Sequence, residues 1–158
     1  MSTPTRGPAF RSSPSNPVVQ EIQTIPERHT DMPYAPAIRL EAPGDMLFLS
    51  GATASPLYHA HPHEWEDHNH ANDIEAQAHK AMLNVLSILE HQGLGVTDVV
   101  KVTKYLTDMR DQDGLNTVLS EYFGDWKPAS TMICVNSLST PGARIELDVI
   151  ATYPKTNA

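Results

Sequence analysis

The chain has 158 residues, a single cysteine and a formal net charge of −8. That length fits one domain plus a tail and can bury a core without covalent staples, while the lone Cys134 excludes an internal disulfide framework. The acidic balance, without basic blocks, weighs against a nucleic-acid partner; no apolar run is long enough to span a membrane, and no signal-peptide core opens the chain. The expectation is a cytoplasmic protein.

In chain order, Met1 to Pro17 is rich in Pro, Ser and Thr and poor in large apolar residues. It reads as a disordered tail, 1–17, because little burial offsets its ordering entropy. The domain is then 18–155. Val18 to Ile25 reads as a strand. Ala37 to Glu41 and Met46 to Ser50 read as a hairpin around Pro43-Gly44-Asp45, a good turn tripeptide. A long polar loop, about 52–71, follows. Asn72 and Glu75 have capping-box spacing. Beyond them Ile74, Ala78, Ala81, Met82, Val85 and Leu89 recur at helical period, with Gly93 as the stop. Val99 to Thr107 is the next strand. Leu115, Val118, Leu119, Tyr122 and Phe123 mark a second helix ended by Gly124. Thr131 to Val135 and Ile145 to Tyr153 are the last strands. The order βββαβαββ predicts an α+β sheet with both helices on one face.

Period-two alternation sharpens this. Ile145, Leu147, Val149 and Ala151 share one face of the last strand, opposite Arg144, Glu146 and Asp148. Val100, Val102 and Leu106 oppose Lys101, Thr103 and Tyr105; Ile133 and Val135 oppose Ser130, Met132 and Cys134. One face is aliphatic and suits the helices. The other mixes Met, Cys and Tyr with charge, which fits either a subunit interface holding a polar site or a wetted sheet face.

These residues also carry a resemblance. Asp73-Ile74-Glu75-Ala76-Gln77, the run Val99 to Met109, Asn116 with Glu121-Tyr122-Phe123-Gly124, and Lys127-Pro128-Ala129 resemble motifs of the RidA/YjgF-type enamine/imine deaminases. Leu138, Ile145-Glu146 and Ile150-Ala151 downstream, and Pro33-Tyr34 and Leu49-Ser50-Gly51 upstream, extend the likeness from about Gln23 to Tyr153. The resemblance implies a chorismate-mutase-like fold, a homotrimer with clefts between subunits, and cofactor-free hydrolysis of reactive 2-enamines or 2-imines to 2-keto acids and ammonia.

Such a reaction needs a cation for the substrate carboxylate, which a guanidinium serves best, and a group that positions water. In the family the guanidinium follows the Pro-Ala pair; here that position is Ser130. By the same matching, Glu146 and Tyr34 are the candidate catalytic residues, Glu146 positioning water and Tyr34 lining the cleft. Ser130, Arg144, Ser50, Gly51, Asn116 and Cys134 are candidate substrate contacts, Asn116 mainly as support. Arg144 lies two residues from Glu146, with Cβ atoms about 7 Å apart, and either replaces the missing cation or neutralises Glu146 and Asp148. The substrate is 2-aminoacrylate-like or an extended aminomuconate-like enamine; the alternative is a trimer that binds a small molecule or a partner without turnover. Cys134 reads as a buried inert thiol, with no His adjacent in sequence to activate it.

The loop after Gly51 holds His59, His61, His63, His68 and His70 with Tyr58 and Trp65. Imidazole is a common zinc ligand, but no second ligand cluster with zinc spacing appears, so no metal is assigned. The loop reads as a lid over the cleft, Trp65 or Tyr58 stacking on a planar substrate, or as a polar surface excursion.

Overall fold

The computed structural model describes residues 7–59 and 61–154. Its apolar helical repeat builds α1 (Ile74–His91), which buries Ala78, Ala81, Met82, Val85 and Leu89. The cap is one residue later than the capping box predicts. Asp73 is the N-cap and accepts the Ala76 N–H at 2.7 Å, a charged acceptor favoured at the positive end of a helix. Gly93, at φ +70°, makes the expected stop. The second helix, α2 (Gln112–Phe123), buries Leu115, Val118, Leu119 and Phe123 and ends at Gly124.

Among the described residues, seven strands form two hydrogen-bonded groups. β1 (Arg11–Ser12), β2 (Val19–Ile22) and β3 (Ala37–Leu40) make a small antiparallel sheet. β4 (Met46–Phe48), β5 (Val99–Leu106), β6 (Ala129–Cys134) and β7 (Ile145–Thr152) make the main sheet in the order β4-β7-β5-β6. β5 and β6 run parallel, so they need a crossover, which α2 supplies. The α+β class and the two helices agree with the expectation.

The hairpin predicted around Pro43-Gly44-Asp45 does not form. β3 pairs with β2 and β4 pairs with β7. The Gly44 N–H bonds the Tyr153 carbonyl at 3.1 Å, and a Cβ there would fall 2.7 Å from the Pro154 and Tyr153 oxygens. The turn is therefore shaped by the C-terminal strand and not by its own hairpin.

The tail also differs from expectation over its described part, 7–17; residues 1–6 lie outside the described residues. β1 pairs with β2, Ser13 and Asn16 are buried, and Asn16 donates from Nδ2 to the Thr152 carbonyl at 2.9 Å. Arg11 Nε meets Glu21 Oε2 at 2.6 Å, and the Glu21 side chain is fully buried. Polar side chains here are ordered by backbone partners, a route that low hydrophobicity does not exclude.

Parity holds for β7. Ile145, Leu147, Val149 and Ala151 are buried under the helices, while Glu146 and Asp148 are half-buried on the opposite side. It fails for β6. Ser130 pairs with Val102, Met132 with Lys104 and Cys134 with Leu106, whereas Ile133 pairs with Tyr105. Ser130, Met132 and Cys134 therefore share the helix side of the sheet, and Ile133 shares the open side with Glu146, which pairs with Tyr105. β6 is an edge strand only partly covered by α2, so its apolar residues do not mark the core face: Ile133 is 40% exposed.

Candidate functional site

Four of the residues singled out from the sequence line two cavities: Ser130 and Asn116 one of them, Glu146 and Gly51 the other. On the helix side, a cavity of about 40 Å³ is lined by Ser130, Asn116, Lys104, Pro33, Leu119 and Trp126, among others. Lys104 projects from β5 beneath α2 and is only 5% exposed. Its Nζ donates to Asn116 Oδ1 at 3.2 Å. Among the described residues no carboxylate lies within ion-pair distance of it. Burial first, and then the nearby charge of Lys101, pushes the Lys104 ammonium down to about 8. A buried cation without a counter-ion is costly unless an anion completes it. The cavity has room for about a water or a carboxylate and no more.

Sequence reasoning missed Lys104, although the signal was present. It has the same parity as Val100, Val102 and Leu106, so it is a lysine on an aliphatic face.

On the other side, Glu146 and Gly51 line a cavity of about 300 Å³ together with Thr140, His59, His61 and His63. Glu146 packs onto the Gly51 backbone. A Cβ at Gly51 would fall 1.9 Å from Glu146 Oε1, so only glycine leaves the carboxylate this close to the chain. The loop after Gly51 is tied to α1, where Asn84 Nδ2 donates to the Thr53 and Ser55 carbonyls at 3.0 and 2.7 Å.

Arg144 does not serve Glu146 or Asp148. Its Nε and Nη2 fork onto Asp111 at 2.9 and 2.7 Å, and Nη1 donates to Asn72 Oδ1 at 2.9 Å. The Asp111 hydrogen bonds hold its pKa above the ordinary arginine value. The guanidinium is thus committed to a carboxylate of its own chain. Asn116, expected as support, faces the cavity as the acceptor of Lys104. Tyr34 is half-buried; its neighbour Ala35 bridges to Ala129 at the start of β6, which places it near Ser130 and away from the Glu146 cavity. Ser50 is exposed beside Gly51. Cys134 is exposed at the end of β6, contrary to the buried thiol expected, and lines neither cavity.

The histidine loop is not featureless. The ligand atoms of His59, His61 and His63 lie within 4.8 Å of one another, a gathering that spacing alone does not dictate. His63 is held below the ordinary imidazole value, by desolvation first and then by His61, His68 and His59. Trp65 and Tyr58 are 71% and 89% exposed on the same loop.

Comparison with known proteins covers most of this architecture. The family model described as Endoribonuclease L-PSP matches residues 25–153. A RutC family protein of Pyrococcus abyssi is 37% identical over 119 residues, 75% of this chain and 85% of that protein. The Escherichia coli protein TdcF, named as a reactive intermediate deaminase, is 31% identical over 81 residues, 50% of this chain and 63% of its own. Among solved structures, that of a candidate endoribonuclease from Thermotoga maritima superposes with a TM-score of 0.60 at 31% identity, covering 78% of this chain and 89% of that one. Sequence and architecture agree, and the chain belongs to the Endoribonuclease L-PSP family, the group that includes the RutC and YjgF proteins.

Proposed function

We propose that the protein is a hydrolytic deaminase of small, reactive 2-enamines and 2-imines that carry a carboxylate, and that Lys104 supplies the cation which the family resemblance places at Ser130. The observation that carries this reading is the Lys104 ammonium itself: buried, without a carboxylate partner among the described residues, and facing a carboxylate-sized cavity with Ser130 and Asn116. The similarity to TdcF, with its name, supports the reaction class.

In this reading the substrate carboxylate sits between Lys104 Nζ and the Ser130 hydroxyl. Glu146 handles protons. Water adds across the C=N bond: its oxygen bonds to C2, its proton passes to the Glu146 carboxylate, and the π pair goes to nitrogen, which is protonated. The carbinolamine then collapses. Glu146 relays the hydroxyl proton to the amine nitrogen, C=O forms as the C–N pair goes to nitrogen, and ammonia departs. An enamine first takes a proton at C3 and gives up one from nitrogen, which converts it to the imine. No cofactor is required.

Lys104 and Glu146 project from opposite sides of the main sheet. In this reading two copies complete one site, as in the trimer that the resemblance implies. The open sheet face offers a surface for this: Phe48, 71% exposed, pairs with Ile150, and Ile133 lies on the same side as Glu146.

The test is the rate of 2-keto acid formation from 2-aminoacrylate generated in situ, measured above the spontaneous rate, together with solution mass. The expected result is turnover by an oligomer and a loss of about 10²–10⁴-fold in Glu146→Gln. Pyruvate binding without any turnover of short or extended enamines would instead establish the non-catalytic binding protein. The description Endoribonuclease belongs to the family model, and the net charge of −8 disfavours an RNA substrate here.

A further inference from the structure

We propose that His59, His61 and His63 form a binding site for one divalent cation of the zinc class, set in the wall of the cavity that holds Glu146. This does not rest on the deaminase reading.

Three observations converge. First, the three side chains each present a ligand nitrogen within 4.8 Å of the others. Their rings are 4.4 to 4.9 Å apart, centroid to centroid. Nitrogens around a tetrahedral zinc ion at about 2.0–2.1 Å lie about 3.4 Å apart. Closure by roughly an ångström, within reach of exposed side chains, completes such a face.

Second, the tautomer is prepared. His59 Nδ1 lies 3.0 Å from the Pro56 carbonyl, to which it can only donate. That bond leaves the His59 Nε2 lone pair free and fixes the ring, the outer-shell arrangement typical of metal-binding histidines. Among the described residues no hydrogen bond uses a ring nitrogen of His61 or His63.

Third, a fourth imidazole waits beside the triad. The His68 ring stands 4.8 Å from that of His63, and its Nδ1 is buried with no hydrogen-bond partner among the described residues. Buried polar atoms in folded proteins are nearly always satisfied. His68 itself lies outside the 4.8 Å group, and an ion held by the triad puts positive charge beside its ring.

The donor set selects the ion. Three neutral imidazoles without a carboxylate or thiolate suit zinc, nickel, cobalt or copper, and are poor ligands for magnesium and calcium. Glu64, Glu66 and Asp67 in the same loop add negative potential that favours a cation. Because the triad shares its cavity with Gly51 and Glu146, the ion also clamps the loop across that cavity and places positive charge within it.

The experiment uses tag-free, full-length protein stripped with chelator and titrated with zinc by calorimetry, and with cobalt by visible absorption, in the absence of substrate. The expected result is one ion per chain, with cobalt bands of low coordination number. His61→Ala and His63→Ala each weaken binding by roughly 100-fold or more. His61→Gln, which keeps the loop polar, does the same, and His91→Ala, outside the loop, changes nothing. Magnesium does not compete. Failure of the wild type to bind, or binding of several ions that survives in H59A/H61A/H63A, overturns the proposal. Enzyme turnover enters none of these readouts, so a failed deaminase assay leaves the metal result standing, and the reverse.

Discussion

Replacing Lys104 by Met separates the cost of a buried charge from its use. Met keeps the length of the side chain and removes the ammonium. In the folded chain the Lys104 pKa falls from the ordinary 10.5 to about 8, with burial the main cause. The sign follows from linkage. The unfolded chain holds the proton more tightly, so between about pH 8 and 10.5 it binds more protons than the folded chain, and stability rises with pH across that window. Below pH 8 the full penalty is present, about 3 kcal/mol for the gap between the two values. Loss of the Asn116 hydrogen bond returns about 1 kcal/mol. Lys104→Met should therefore stabilise the fold by about 2 kcal/mol at pH 7, raising Tm by roughly 4–8 °C, and this gain should disappear near pH 10.5. The same variant should lose carboxylate binding by tenfold or more, since it removes one partner of a buried charge pair. Thermal melts at pH 7 and 10.5, with and without pyruvate, measure both effects. A variant less stable than wild type at pH 7, with pyruvate still raising its Tm equally, would refute the reasoning.

Two further substitutions test the rest of the site. Gly51→Ala places a methyl group 1.9 Å from Glu146 Oε1; the carboxylate must move, at a cost of about 1–3 kcal/mol, and deaminase activity should fall to the level of Glu146→Gln. Adding Glu146→Ser should recover the melting temperature but not the activity. Arg144→Ala strands the carboxylate of Asp111, whose side chain is 8% exposed, and should destabilise by about 3 kcal/mol in denaturant titration. Arg144→Gln, which removes the charge and can still donate to Asp111, should retain part of that stability and leave KM within about twofold, an outcome incompatible with Arg144 as the substrate's cation.

The central elements were legible because their residues face uniform surroundings. The helical repeat of Ala78 to Leu89 and the alternation of Ile145 to Ala151 each meet one continuous core, so period and burial coincide. What failed lay at edges. The alternation of β6 pointed Ile133 inward, but an edge strand has no continuous cover to enforce the pattern, and register with β5 set its faces instead. The hairpin failed because turn residues state only that the chain turns; the pairing of β4 with β7 is non-local and left no local trace. The tail failed because Arg11, Ser13 and Asn16 are ordered through distant polar partners. Within the candidate site, Glu146 and Gly51 stand out in the sequence as separate residues but their contact does not, since their juxtaposition depends on the strand-like pairing of Ala52 with Leu147.

In the proposed function, Lys104 supplies from the same cavity the charge that the family resemblance places at Ser130. In the parallel register Val102 faces Ser130 and Lys104 faces Met132, and adjacent strands lie about 4.8 Å apart. A lysine two residues along the neighbouring strand therefore reaches the space beside Ser130 from the interior side, without crossing the sheet. The move has a chemical consequence. A guanidinium at the edge stays charged at any accessible pH, whereas an ammonium beneath α2 is charged only below about pH 8 until an anion binds. Carboxylate affinity in this chain should consequently weaken as pH rises past that value. The alkaline limb, present in wild type and absent in Lys104→Arg, then belongs to the Lys104 ammonium.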